Sequence, residues 1–281
     1  MTVAIVTDSG SDLTPEQLSS HSITQVPLTV SFGDESFLSP DEIAPEEFWK
    51  RMRDPSCPFA RTAAPSVGQF KTAFEAAFAA GHDAIVCVCL SAELSSTIEH
   101  AHMARDLMPG KNIVIVDSRS ACMAEGSLVL TAADMAANGQ TYAAIARRLD
   151  ELIKQTDLYV ALDTLDYLRK GGRIGAAKAA IGGLLSVKPI ITVVDGVVVV
   201  GDQPRTRTRA MDRVIELLTD RPLTRLHVMY SPPTDPDALR EAILAQCPQP
   251  APTFVTTQMI GPVIGAHVGP GAFGATLVRE G

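Results

Sequence analysis

Chemistry in this 281-residue chain rests on a few short stretches. The longest is Leu162-Asp163-Thr164-Leu165-Asp166-Tyr167-Leu168-Arg169-Lys170-Gly171-Gly172-Arg173-Ile174-Gly175. Its acidic start, with Arg169 and Lys170 one turn later, predicts a short helix, because cations suit the negative end of the helix dipole. The Gly-Gly pair stops that helix where positive φ is needed. Arg173 follows on a short, exposed turn. A small-residue helix through Ser186 and a strand opening at Lys188-Pro189 complete the pattern. Ser95-Ser96-Thr97 stands at the start of another helix, where Ser96, with Glu99, reads as the N-cap and Ser95 precedes it. Thr62 lies before Ala63-Ala64-Pro65-Ser66 at a loop-to-helix junction and reads as a turn residue. His267 sits between Gly261 and Gly274, a span with five glycines and two prolines. So constrained a loop is a place for functional backbone.

Other motifs carry less. Gly269-Pro270-Gly271-Ala272-Phe273-Gly274 matches GxGxxG in form, but no helix, second strand and acidic residue can follow it so near the C-terminus. No GxxxxGK[ST] occurs. Asp8-Ser9-Gly10-Ser11-Asp12 follows a first strand; such acids commonly cap turns, and a phosphoaspartate nucleophile is the alternative. His100 and His102 are two apart on a helix and point to different faces, which is poor metal geometry. Arg205-Thr206-Arg207-Thr208-Arg209 reads as a solvated helix start, or as a docking surface for an acidic partner or phosphate. Cys57, Cys87, Cys89, Cys122 and Cys247 have no disulfide-framework spacing, and Cys87 and Cys89 share one face of a strand.

The elements that must position these residues follow from periodicity. Val3–Thr7, Ile85–Leu90 and Ile113–Val116 are short apolar runs, each ending in polar residues, and helices separate them. That alternation predicts a parallel sheet covered on both faces, with ligands outside the carboxyl ends of its strands. Ile23–Phe32 predicts a strand that is bent or at an edge because of Pro27. Ser39–Pro58, with four prolines and Trp49 on one short helix, predicts a surface excursion. Thr14 with Gln17 and Ser66 with Gln69 predict capping boxes. After about Gln155 hairpins mix with helices, and Asp195-Gly196 between Val runs signals a type I′ turn. The prediction is an α/β fold: an N-terminal α/β domain with a parallel sheet over 1–156, a C-terminal α+β domain over 157–281, and a ligand between them.

Composition narrows the function. A net charge of −8 argues against a general nucleic-acid binder. No apolar run approaches the ~18 residues of a membrane span, so stable membrane insertion is not expected. Free thiols and the absence of a leader point to a reducing cytoplasm.

In order and in kind, these motifs resemble the DegV family, bacterial proteins that bind long-chain fatty acids. The resemblance is carried by Val6-Thr7-Asp8-Ser9 with Asp12-Leu13, Thr62–Ser66 with Phe70, Ser91–Thr97, Asp117-Ser118, Gly171-Gly172-Arg173 and Gly261–His267, and covers nearly the whole chain. It implies a palmitate, stearate or oleate in an apolar tunnel, the carboxylate held by Thr62, Ser95 and His267, with Ser96 beside them. It also implies a separate ATP-dependent fatty acid kinase that phosphorylates the bound acid, this chain carrying both the acid and the acyl-phosphate as a non-enzymatic subunit. His267 and Arg173 are then candidate contributors to phosphoryl transfer. No cofactor or metal is expected. Ala63 and Ser96 depart from the family, which commonly has Ser and Gly there. The alternative is a stand-alone enzyme using Asp8, Asp117 and His267 on a small phosphorylated or carboxylated substrate.

Overall fold

The computed structural model describes residues 1–177 and 187–279; most of the helix expected up to Ser186 lies outside the described residues. The first strand, β1 (Val3–Asp8), is buried throughout. Helix α1 (Pro15–Ser20) opens with the expected capping box between Thr14 and Gln17. The strand expected over Ile23–Phe32 divides at Pro27 into β2 (Thr24–Val26) and β3 (Leu28–Phe32). β2 pairs with β1 in parallel, whereas β3 leaves for another sheet, antiparallel to β4 (Glu35–Ser39). Proline has no N–H to continue a ladder, and the next N–H, that of Leu28, goes instead to Ser9 Oγ at 2.9 Å.

The span read as a surface excursion is structural. Helix α2 (Pro45–Met52) buries Phe48 and Trp49 completely. Strand β5 (Ala60–Ala63) then returns beside β3, making a three-stranded antiparallel sheet β4-β3-β5 that alternation alone did not reveal. Helix α3 (Val67–Ala79) starts at the Ser66–Gln69 capping box. After it come β6 (Ala84–Cys89), α4 (Thr97–Asp106), β7 (Asn112–Asp117), α5 (Met123–Ala137) and α6 (Tyr142–Ile153). The parallel sheet runs β2-β1-β6-β7. Its central strand β6, AIVCVC, is wholly buried, as a sheet covered on both faces requires. Cys87 and Cys89 do share a face, their sulfurs 3.7 Å apart and reduced.

The C-terminal part contains β8 (Thr156–Ala161), α7 (Asp166–Lys170), β9 (Ile190–Val194), β10 (Val197–Asp202), α8 (Arg207–Thr219), β11 (Arg225–Tyr230), α9 (Pro236–Gln246), β12 (Phe254–Met259), α10 (Pro262–Val268) and β13 (Phe273–Val278). Its strands order β10-β9-β8-β13-β11-β12, antiparallel except for the β11–β12 pair. The β9–β10 hairpin turns at Asp195 and Gly196, whose φ values of 52° and 83° suit the expected turn. The last strand, β13, lies at the sheet's centre between β8 and β11. The protein thus joins an N-terminal parallel sheet to a separate mixed sheet, as the pattern of elements predicts. One apolar cluster crosses both parts, from Val30, Trp49 and Val86 to Leu162, Met229 and Val263. A second lies under α8 and α9.

Candidate functional site

The region read as a constrained loop around His267 is the helix α10. Gly261 caps it, Pro262 occupies its first turn, and His267 falls in its last. Gly265 allows this helix to press on α2: a Cβ there would stand 2.6 Å from Phe48 Cε1 and 2.8 Å from Trp49 Cζ2. Trp49 Nε1 donates to the Ile260 carbonyl at 2.8 Å, tying the same helix from its other end. The buried aromatics of α2 therefore carry a residue from the far end of the chain to the N-terminal part.

Thr62 is not in a turn. It lies in β5, opposite Val30, and its Oγ1 is 2.9 Å from His267 Nε2. The other ring nitrogen, Nδ1, is buried without a hydrogen-bond partner among the described residues. Gly171 stands against it, and any Cβ at that position would overlap Nδ1. Burial draws the imidazole down to about 4, and the Arg173 guanidinium pushes in the same direction. His267 is therefore neutral near pH 7, one nitrogen on Thr62 and the other on bare backbone.

The Gly-Gly pair divides its work. Gly171 makes room for the imidazole, and Gly172, at φ 74° with open space around its Cα, supplies the left-handed turn. Arg173 N–H then bonds the Leu168 carbonyl at 3.0 Å, closing α7. The Arg173 guanidinium reaches both parts of the protein: Nη1 donates to Gly171 O at 2.8 Å and Nε to Leu94 O at 3.1 Å.

Leu94 begins the turn that carries Ser95. Here the capping assignment changes. Ser96 occupies the N-cap position of α4, but its side chain makes no capping bond and is exposed. Ser95 takes over: its Oγ accepts the Thr97 N–H at 3.3 Å and lies 2.8 Å from Thr97 Oγ1.

Thr62, Ser95, Arg173 and His267 line one cavity of about 820 Å³, part of it open to solvent. The rest of its wall is almost all apolar, drawn from both parts of the chain: Leu90 and Leu94 on one side, Val160, Ile191, Val198 and Val263 on the other. Ser96 does not line it, and neither do Asp8 or Asp117. A second opening meets the polar end, where Arg61 and Lys170 join Thr62, Arg173 and His267. In sequence Arg61 is only a polar neighbour of Thr62, and Lys170 reads as a cation suited to the negative end of a short helix.

Asp8 is held as a structural acid. Its Oδ1 accepts the Gly10 N–H at 2.7 Å and its Oδ2 the Leu90 N–H at 2.9 Å. Burial pushes it up to about 7 against those bonds. Glu125 beside it is raised well above the ordinary carboxyl range, by burial first and then by the Asp8 charge. Asp117 accepts the Arg119 N–H at 2.8 Å. The two aspartates and His267 thus do not form one site. In the basic run, Arg207 is structural: it donates to Gly271 O at 2.7 Å and Thr234 Oγ1 at 2.6 Å and lies over the Phe273 ring. Among the described residues no group of three or more His, Cys, Asp or Glu could hold a metal ion, and no helix is long and apolar enough to cross a membrane.

Known proteins share this architecture. A family model described as "Uncharacterised protein, DegV family" matches residues 2–280. A DegV domain-containing protein of Listeria innocua is 31% identical over 279 residues, covering 98% of this chain and 97% of its own. Among solved structures, a DegV family protein from Thermus thermophilus, described by its fatty acid binding, superposes with a TM-score of 0.92 at 29% identity, with 100% of both chains covered. A stearic-acid-binding protein from Eubacterium ventriosum gives 0.89 at 28% identity, covering 99% of this chain and 98% of that one. The chain described here belongs to the DegV family.

Proposed function

We propose that this protein binds a long-chain fatty acid in the cavity between its N-terminal domain, residues 1–156, and its C-terminal domain, residues 157–281. The supporting observation is the Thr62–His267 pair at the polar end of a slot whose described lining is otherwise almost all apolar. Each methylene withdrawn from water contributes about 0.8 kcal/mol, so a long tail dominates the affinity. The carboxylate must find donors or its desolvation cancels that gain. Thr62 and Ser95 hydroxyls and the His267 imidazole supply them, and the Arg173 guanidinium adds a charge. Ser96, exposed and outside the wall, plays no direct part.

The head group lies next to the mouth lined by Arg61, Lys170 and Arg173. In this reading a separate ATP-dependent fatty acid kinase reaches the carboxylate there, and the protein carries both fatty acid and acyl-phosphate. It is a carrier subunit of the cytoplasm. In the same reading His267 and Arg173 steady charge on the transferring phosphoryl group.

Native mass spectrometry of gently purified protein, with titration by palmitate, stearate and oleate, tests the binding. Co-purified acyl chains or saturable binding are the expected result; neither one appearing would end the reading. Incubation with ATP and a fatty acid kinase should then yield acyl-phosphate on this protein, and Arg173→Ala should lower that yield more than it lowers lipid binding.

A further inference from the structure

We propose that Asp12 and Cys122 form a partition that selects acyl chains with an apolar far end; the inference rests on the fatty-acid reading above. Two cavities meet at this pair. One is the apolar slot. The other is a groove of about 1,350 Å³, partly open, whose polar lining includes Ser9, Thr14, Ser39, Gln258 and the carboxyls of Asp41 and Glu46, between apolar residues such as Leu13 and Met259. Cys122 lines the slot and Asp12 lines the groove. They touch: Cys122 Sγ donates to Asp12 Oδ2 at 2.9 Å.

The backbone beside them divides in the same way. Ile260 and Val263 face the slot, Gly261 and Pro262 the groove. Beside the pair, the backbone of this segment is itself the wall. It has no slack, since a Cβ at Gly261 would stand 2.5 Å from Asp12 Oδ1. It is also remote from the head group. Helix α10 has Gly261 at one end and His267 at the other, roughly 9 Å apart at 1.5 Å per residue.

A thiol suits a wall between unlike cavities. Its soft sulfur presents an apolar surface to the slot and packs 3.0 Å from Met229 Sδ. Its proton goes to the carboxyl behind. An acyl chain ending in a methyl group meets nothing polar there. A chain ending in a hydroxyl leaves that hydroxyl buried without a partner, although partners lie just beyond the wall.

Position 122 can be opened without strain. Cys122 has φ 58°, a conformation glycine adopts freely. The test compares each saturated fatty acid from octanoate to octadecanoate with its ω-hydroxy counterpart, by titration of the full chain. The wild-type protein should bind every ω-hydroxy acid at least about tenfold more weakly than its parent. Cys122→Gly should reduce that penalty about tenfold for at least one chain length. An unchanged penalty at every length in Cys122→Gly overturns the proposal. If Cys122→Gly does not fold, Cys122→Ala gives the same reading, and an unchanged penalty there overturns it equally. Wild-type protein that binds no parent acid at all refutes the fatty-acid reading itself, which is a different result from an unaltered penalty.

Discussion

Gly171 and His267 are in van der Waals register: the imidazole Nδ1 occupies the space that a side chain at position 171 would fill. The neighbouring glycine has a different reason to exist, a φ of 74° with open space around it. The two substitutions therefore separate. Gly171→Ala should displace His267 from Thr62 and weaken fatty-acid binding, by about 1–3 kcal/mol for a carboxylate left short of a donor. Gly172→Ala should cost about 1–2 kcal/mol of stability through left-handed strain and leave affinity unchanged. Thermal unfolding and palmitate titration of both variants check this; equal loss of affinity in the two would contradict it.

Ser95 serves both the start of α4 and the head of the slot. Ser95→Ala removes an acceptor from the Thr97 N–H and a hydroxyl from the cavity lining, which in the proposed function is a donor to the carboxylate. The expected result is a stability loss of about 1 kcal/mol together with an affinity loss of about 1–3 kcal/mol. Ser96→Ala should change neither measurably. A larger effect on binding at position 96 than at 95 would reverse the assignment.

Carboxyls at the buried end of the parallel sheet make stability depend on pH. Asp8 and Asp12 are each pushed up to about 7, in both cases chiefly by burial. A carboxyl whose pKa rises on folding holds its proton more tightly in the native state. Its contribution is full below the unfolded value near 4 and is lost as pH climbs through about 7. Thermal stability should thus fall between pH 5.5 and 8, and Asp12→Asn should flatten the fall by about 1–3 kcal/mol. Asparagine also accepts the φ of 54° at this position. His227 and His267 act in the opposite sense, held neutral by burial at about 3 and about 4. Their contribution is lost as pH falls below the ordinary histidine range. A Tm for Asp12→Asn that tracks the wild type across pH 5.5–8 would remove Asp12 from this account.

Helix α10 depends on a missing side chain. Gly265→Ala would push a methyl group to 2.6 Å from Phe48 and 2.8 Å from Trp49, both fully buried. Overpacking of this kind costs about 1–3 kcal/mol. Because His267 lies on the same short helix, fatty-acid affinity should fall with stability. Chemical denaturation and titration of one variant measure both, and an unaltered Tm would show that the interface between α2 and α10 can yield.

Much of the protein was legible from residue types and spacing. Apolar runs such as Val3–Thr7 and Ile85–Leu90 had to be buried strands, because nothing else accommodates them in water. The capping boxes at Thr14 and Ser66, the Asp195-Gly196 turn and the Gly171-Gly172 stop are local, set by hydrogen bonds and φ within a few residues. The DegV resemblance likewise rested on short motifs in order. Tertiary structure decided the rest. Pro27 marked a break, but only packing shows that the chain changes sheets there. Thr62 looked like a turn residue because the partner strand that makes it β, Leu28–Phe32, is remote in sequence. Glycines and prolines around His267 suggested a loop; burial against Phe48 and Trp49 makes a helix worthwhile where local propensity is poor. Ser95 and Ser96 are nearly equivalent as local caps, and the turn from Ser91 settles which hydroxyl bonds the helix and which meets solvent. The meeting of Thr62 with His267, 205 positions apart, is a property of the folded chain alone, since long-range packing leaves no trace in the spacing of either residue's neighbours.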